Sequence, residues 1–373
     1  MGIYNKDCHT RLGEFVMTTK IPVGILGATG MVGQRFITLL NNHPWFEVVS
    51  LAASPKSAGK KYSGAVAGRW MMKEPIPPVV ADLTVQSVED DMEKIAGRVS
   101  LVFSALDMEK EKIKEVENGF AKRGVAVVSN NSAHRFTPDV PMIMPEINSD
   151  HLKLIKAQQK NQGWQGFIVV KPNCSIQSFV PLLTPLLKFQ PKEVVVTTLQ
   201  AVSGAGKTLM TWPEMQENVI PFISGEEEKS EKEPMKIWGQ IKNGIIVPAT
   251  SPKISATCIR VPVEDGHMAS VSVSFAKKVA MKEIITAWKK FDPLKGLDLP
   301  SAPHPFITVM EEENRPQTRL DRDSGKGMGI SAGRLRESNV LDYEFIGLSH
   351  NTIRGAAGGA ILIAELLKKK GYR

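Results

Sequence analysis

The chain has 373 residues, 42% hydrophobic and 23% charged, enough for about two domains and excluding a disordered or collagen-like polypeptide. Its 47 Lys and Arg stand against 39 Asp and Glu for a formal charge of +8, but the two signs are interspersed, which favours small anionic ligands over a nucleic-acid surface. No apolar run approaches the roughly 18 to 20 residues that span a bilayer, so no membrane association is expected, and three widely spaced cysteines, Cys8, Cys174 and Cys258, exclude a disulfide scaffold and point to a reducing cytosol. No two histidines stand three or four residues apart and no C-x-x-C occurs, so no metal is expected. Residues 1–16 are polar and precede a second methionine, Met17; they read as an extension or a remnant of expression outside the fold.

Residues 22–26 form a short apolar run that predicts a buried strand, followed at once by Gly27-Ala-Thr-Gly30-Met-Val-Gly33 and a helix pattern through Phe36, Leu39 and Leu40. A second strand over 46–53 closes a βαβ unit. Strands over 99–104 and 125–129 flank a charged amphipathic helix over 109–122, and this alternation predicts a parallel sheet covered by helices on both faces. Beyond Pro172 the texture changes: 194–200, 245–247, 255–261 and 268–275 are strand-like, and the alternation Ser270-Val-Ser-Val-Ser-Phe275 predicts an antiparallel sheet with one wet face in a second, mixed α+β domain. The charge-dense 226–236 and the Pro- and Gly-rich 294–305 read as surface loops or helix ends. The last pattern, Gly355-Ala-Ala-Gly-Gly-Ala-Ile-Leu-Ile-Ala-Glu-Leu-Leu, is a helix with a small-residue start, suited to packing on the first domain.

Strand, glycine turn and helix together suit a pyrophosphate, which backbone N–H groups and the helix N-terminus at Met31 would receive. Where an NAD-selective site would carry an acid after the second strand, this chain has Ala53-Ser54-Pro55-Lys56-Ser57, with hydroxyls and a cation for the 2′-phosphate of NADP. In Lys171-Pro-Asn-Cys174-Ser-Ile a strand over 167–170 ends at Pro172 and a helix pattern resumes, kinked by Pro181 and Pro185. Cys174 is thereby expected at a helix N-terminus, where its pKa would fall and thiolate would be favoured. Arg260 could fork onto a carboxylate, and His267 could serve the thiol and the product oxygen as acid and base. Ala201-Val-Ser-Gly-Ala-Gly206-Lys207-Thr208 nearly fits a phosphate-binding P-loop, but Pro213 would interrupt its helix and no magnesium-binding strand follows.

Together these motifs resemble the aspartate-semialdehyde dehydrogenase family, in its fungal and archaeal branch. The resemblance spans 19–367 and includes Ser129-Asn-Asn-Ser-Ala-His-Arg135, Pro172-Asn-Cys174-Ser, Gln200-Ala-Val-Ser-Gly-Ala-Gly206, Gly225-Glu-Glu-Glu-Lys229, residues 260–267 and Asn351-Thr-Ile-Arg-Gly-Ala-Ala357, in order. It implies an NADP-binding Rossmann-type domain over 17–173 with 347–373, and an α+β catalytic and oligomerisation domain with a mixed sheet over 174–346. The implied reaction is NADPH-dependent reductive dephosphorylation of β-aspartyl phosphate to aspartate β-semialdehyde, on the route to Lys, Thr, Met and Ile, through a thioester on Cys174.

By the same resemblance His267 shuttles the proton and Gln200 orients the acyl group. Arg260 holds the α-carboxylate, Glu226 meets the α-amino group, and Asn131, Arg135 and Lys229 bind phosphate. Gly27, Thr29, Gly30, Met31, Val32, Gly33, Ser54, Lys56, Ser57, Ser104, Ala105, Leu106, Ser203, Gly204 and Asn351 are expected along the dinucleotide, Asn351 near the nicotinamide. Assembly as a homodimer or homotetramer in the cytosol is implied. Malonyl-CoA reductase and N-acetylglutamyl phosphate reductase are the rivals of the same chemistry; a free α-amino group calls for a carboxylate such as Glu226, and a phosphate leaving group calls for cations.

Overall fold

The computed structural model describes residues 20–372, so the expected extension lies outside the described residues. The first sheet contains β1 (Ile21–Leu26), β2 (Phe46–Ala53), β3 (Val85–Ser87), β4 (Leu101–Ser104), β5 (Ala126–Ser129) and β6 (Phe167–Val170). They lie in the order β3-β2-β1-β4-β5-β6 with every pairing parallel, the doubly wound arrangement expected from the alternation. Its switch point falls between β1 and β4, whose last residues, Leu26 and Ser104, pair side by side. Helix α1 (Met31–Leu40) buries Phe36, Ile37 and Leu40 against this sheet and gives way at Asn41. Helix α2 (Lys110–Lys122) buries Ile113, Val116 and Phe120 and, on the same face, Glu117.

The second sheet is mixed. It comprises β7 (Pro191–Gln200), β10 (Lys253–Arg260), β11 (His267–Phe275), β12 (Ile307–Val309), β13 (Ile330–Glu337) and β14 (Tyr343–Ser349), with β8 (Gln240–Lys242) and β9 (Ile245–Val247) forming a separate hairpin. β11 runs antiparallel to both β7 and β14, and Val271, Val273 and Phe275 face the core while Ser270 is exposed, as the alternation predicts. The sheet is not wholly antiparallel, because β10 joins β7 and β12 joins β13 in parallel. β14 continues to Ser349 within this sheet, so the boundary expected after residue 346 falls inside a strand.

Two segments depart from the sequence reading. Residues 226–236, expected as a surface loop or helix end, belong to a full helix α3 (Glu226–Ile237), whose buried face is polar: Glu226, Ser230 and Glu233, closed by Ile237. Helical spacing is present, but carboxylates occupy the inward positions where apolar residues would have announced it. The helix after Cys174 is broken into a 3-10 turn (Ser175–Ser178), one α turn (Val180–Leu183) and another 3-10 turn (Thr184–Phe189), with Phe179 at φ −134° between the first two. Pro181 and Pro185 cannot donate backbone hydrogen bonds, which explains why no continuous helix forms. The C-terminal helix α4 (Gly358–Lys369) is buried from Gly358 to Leu367 and packs on the first sheet, as its small-residue start predicts.

Candidate active site

Five segments converge between the two sheets: the turn after β6, the ends of β7 and β10, the start of β11, and the N-terminus of α3. Cys174 follows β6, Gln200 and Arg260 are the last residues of neighbouring strands β7 and β10, and His267 opens β11. The Cys174 sulfur lies 3.5 Å from His267 Nε2. The backbone N–H of Ala201 donates to His267 Nδ1 at 3.0 Å, so Nδ1 is an acceptor and the neutral ring carries its proton on Nε2, toward sulfur. Burial first, then Arg260 and His350, push the His267 pKa down to about 3. This corrects one expectation: the resting ring is a hydrogen-bond donor to sulfur, with no free lone pair for the thiol proton.

The Cys174 pKa is raised, not lowered. Burial is the main cause and Glu226 adds to it, while Lys171, Arg135 and Arg260 pull the other way. The expected helix dipole is missing because a single 3-10 turn follows the cysteine. Arg260 is buried and donates from Nη1 to the Ala201 carbonyl at 2.7 Å; among the described residues it has no carboxylate partner. The turn at Gly204 crosses these groups so closely that a Cβ there would stand 2.9 Å from Arg260 Nη1 and 3.0 Å from His267 Nε2. Asn351 secures that turn: its Nδ2 donates to Ser203 Oγ at 2.8 Å, and its Oδ1 accepts the Gly266 N–H at 2.8 Å.

Glu226 accepts from Lys229 at 2.8 Å and from Asn173 Nδ2 at 3.0 Å on one oxygen, and from Gln200 Nε2 at 3.3 Å on the other. The carboxylate and cation expected to meet substrate therefore pair with each other. Two other expected phosphate ligands are already engaged in the scaffold. Arg135 donates to the Lys171 and Asn130 carbonyls and to Glu233 at 2.9 Å, so every guanidinium nitrogen has an acceptor. The Asn131 amide donates to Ser104 Oγ at 2.9 Å and Glu117 Oε1 at 3.0 Å, which leaves only its oxygen outward.

Sequence reasoning missed Glu233, whose second oxygen accepts the Asn173 N–H at 2.6 Å and so tethers the residue before Cys174. Its signal was its position seven residues after Glu226, on the same face of α3. Also missed is Arg354, fully buried, which donates to both oxygens of Glu146 at 2.6 Å and to Gln177 at 3.1 Å. It sits in a π turn (Ile353–Ala357) and joins the start of α4 to the segment after Cys174.

At the switch point, Gly27 has φ +81° and a Cβ on it would collide with the Ala105 carbonyl. A Cβ on Gly33 would collide with the Gly27 carbonyl, so α1 lies directly against the turn. Gly30 caps α1 without a side-chain hydrogen bond, and a Cβ there would meet nothing nearer than 3.6 Å. The first N–H groups of α1, at Met31 and Val32, are thus accessible to a pyrophosphate. After β2, Ser54 and Lys56 are exposed, but Ser57 is buried, its N–H bonded to the Ser54 carbonyl; it faces inward, contrary to expectation. Ser104 and Leu106 are buried and Ala105 partly so. The P-loop reading fails, because no helix opens after Gly206 and Lys207 Nζ lies over the Trp212 ring at 4.2 Å.

Family models described as "Semialdehyde dehydrogenase, NAD binding domain" and "Semialdehyde dehydrogenase, dimerisation domain" match residues 22–155 and 183–354. An aspartate-semialdehyde dehydrogenase of Archaeoglobus fulgidus is 46% identical over 348 residues, covering 93% of this chain and 98% of that protein. The chain belongs to the aspartate-semialdehyde dehydrogenase family. Another aspartate-semialdehyde dehydrogenase, from Candida albicans, is 41% identical over 93% of this chain and 98% of its own length. The crystal structure of an aspartate-semialdehyde dehydrogenase with NADP from Candida albicans superposes with a TM-score of 0.85 at 40% identity, covering 95% of this chain and all of that one. The chain is thus similar in sequence to archaeal and fungal aspartate-semialdehyde dehydrogenases and in architecture to the one from Candida albicans.

Proposed function

We propose that this chain catalyses the reversible, NADPH-dependent conversion of L-aspartyl-4-phosphate to L-aspartate-4-semialdehyde, through a thioester on Cys174. The observation that carries the reading is the cysteine beside a neutral histidine and an arginine that has no carboxylate partner among the described residues, at the junction of a dinucleotide-type sheet and a second domain. Gly27, Gly30, Gly33 and the N-terminus of α1 would hold the pyrophosphate, with Ser54 and Lys56 toward the 2′-phosphate. When bound, NADPH supplies the hydride that reduces the acyl group.

Cys174 attacks the acyl carbon and phosphate leaves. The Nε2–H of His267, which faces the sulfur in the resting site, turns its hydrogen bond to the acyl oxygen as negative charge develops there. Its depressed basicity makes the ring, once protonated, a strong acid and a ready proton donor. Arg260 presents its remaining N–H groups to the α-carboxylate, Gln200 orients the acyl group, and the Glu226–Lys229 pair opens to receive the amino group and phosphate. Asn131 and Arg135 act one shell away, by fixing Ser104, Lys171 and Glu233.

The dimerisation-domain match supports self-association, and sedimentation distinguishes homodimer from homotetramer. A cytosolic site of action fits NADPH use and the free thiols of Cys174 and Cys258. The test is direct: aspartate semialdehyde, phosphate and NADP together should yield NADPH absorbance, while malonyl-CoA and N-acetylglutamyl phosphate with NADPH should be inert. Turnover of either rival substrate in place of aspartate semialdehyde would overturn the assignment.

A further inference from the structure

Both backbone polar groups of Asn173, the residue before Cys174, are held by buried side chains. Glu233 accepts its N–H at 2.6 Å, and Gln177 Nε2 donates to its carbonyl at 3.3 Å. That carbonyl and the Cys174 nitrogen belong to one rigid peptide unit, so whatever orients Gln177 also orients the cysteine. Arg354 is that group: its Nε donates to Gln177 Oε1 at 3.1 Å. A guanidinium can only donate and a carbonyl can only accept, which leaves the Gln177 amide a single way round between them.

Arg354 is itself aimed from the first domain. It is fully buried and grips both oxygens of Glu146, in the helical turn Pro145–Asn148, at 2.6 Å each, while its Cζ lies 4.9 Å from the centre of the Phe306 ring. A buried ion pair stabilises weakly because both charges lose their hydration, but a two-pronged fork fixes direction. The backbone that carries it is equally committed. Arg354 sits in the π turn Ile353–Ala357, in which the Gly355 N–H donates to the His350 carbonyl at 2.8 Å. Such turns are rare and concentrate at functional sites. This one brings Gly355 so near the cysteine that a Cβ there would stand 2.8 Å from Cys174 Cβ and 3.3 Å from Cys174 Cα.

We propose that Arg354 is a positioning residue for Cys174. Glu146 aims its guanidinium, Gln177 relays that aim to the peptide entering the cysteine, and the π turn sets the Gly355 backbone against the cysteine stem. The hydrogen bonds of Arg354 go to Glu146 and Gln177 and reach neither the sulfur, His267 nor Arg260. Its effect is to keep the sulfur on line with the acyl carbon and 3.5 Å from His267 Nε2. A misplacement of about 1 Å at a reacting atom costs on the order of a hundredfold in rate, so the loss should appear in the covalent step and not in binding.

The inference rests on Cys174 as the nucleophile, and the two fail differently. The experiment measures the NADPH burst given by aspartate semialdehyde and NADP without phosphate, together with KM, NADP affinity and thermal midpoint. Wild type is compared with Gln177→Met, Gly355→Ala, Arg354→Lys and the double variant Gln177→Met/Arg354→Lys. Lysine keeps the charge but cannot fork onto Glu146 and reach Gln177 as well. Each single variant should slow the burst by roughly tenfold or more, with its amplitude still about one equivalent per subunit and KM and NADP affinity within about twofold of wild type. The double variant should be about as slow as Arg354→Lys alone, because both changes break one relay. A wild-type burst rate in Gln177→Met or in Gly355→Ala would overturn the proposal. So would a slower burst that comes with a lower amplitude or weaker NADP binding, or effects that multiply in the double variant. Should Arg354→Lys not fold, Gln177→Met and Gly355→Ala decide, since neither changes Arg354 or Glu146. Absence of a burst in wild type would instead refute the thioester on which the proposal stands.

Discussion

Glu233→Gln removes one charge and changes no volume, at a residue that touches neither substrate nor cofactor in the proposed scheme. Each carboxylate oxygen of Glu233 accepts one bond: Arg135 Nη1 at 2.9 Å and the Asn173 N–H at 2.6 Å. Glutamine has one oxygen, so its NH₂ must confront one of these donors. Breaking a buried ion pair costs about 3 to 5 kcal/mol. Arg135 keeps its bonds to two carbonyls, which lowers the expectation to about 2 to 4 kcal/mol. Asn173 immediately precedes the nucleophile, and a displacement of about 1 Å at a reacting atom costs on the order of a hundredfold in rate. Urea unfolding should show the stability loss, and kcat should fall while NADP affinity stays close to wild type, since Glu233 bonds to Arg135 and Asn173 and to no residue of α1 or its glycine turn. A loss under about 1 kcal/mol together with an unchanged kcat would show that Glu233 does not hold the cysteine turn.

Arg260→Lys keeps the charge and loses the planar fork, so steady-state kinetics with aspartate semialdehyde should show both a lower kcat and a higher KM at an unchanged thermal midpoint; near wild-type values would remove Arg260 from substrate binding. Lys56→Ala should weaken NADPH by roughly tenfold or more and NADH little, because one charge-assisted bond of about 1.5 to 3 kcal/mol is at stake; equal effects on both would refute a 2′-phosphate contact. His134, His267 and His350, with pKa values pushed by burial from 6.5 to about 4, about 3 and about 4, bind fewer protons folded than unfolded. Their contribution is full above pH 6.5 and is lost as pH falls below it, by up to about 1.4 kcal/mol per unit for each histidine, so the thermal midpoint should drop clearly between pH 7 and pH 5. A flat profile would contradict their burial as neutral rings.

The dinucleotide half was legible because its signals are local: an apolar run, a glycine turn and a helical period lie next to one another from Ile21 to Leu40. The cysteine and the Arg260–His267 pair were legible because strand ends place them. Helix α3 was not, since Glu226, Ser230 and Glu233 face inward and periodicity is normally read from apolar residues. Nor were β12, β13 and β14, which interleave parallel and antiparallel pairings that no short-range pattern encodes. The reassignment of Arg135 and Asn131 has the same origin. A basic or amide side chain in a motif announces a hydrogen-bond donor, and only the fold reveals that Glu233, Glu117 and nearby carbonyls already accept from it.

The most direct test of covalent catalysis is to run the oxidative direction without phosphate. Aspartate semialdehyde and NADP should then produce a burst of NADPH that approaches one equivalent per subunit and stalls, with an aspartyl adduct on the Cys174 peptide by mass; adding phosphate should release the adduct and restart turnover. Cys174→Ala should give no burst while still binding NADP. Sustained turnover without phosphate and without adduct, or a burst that survives in Cys174→Ala, would contradict the thioester at Cys174.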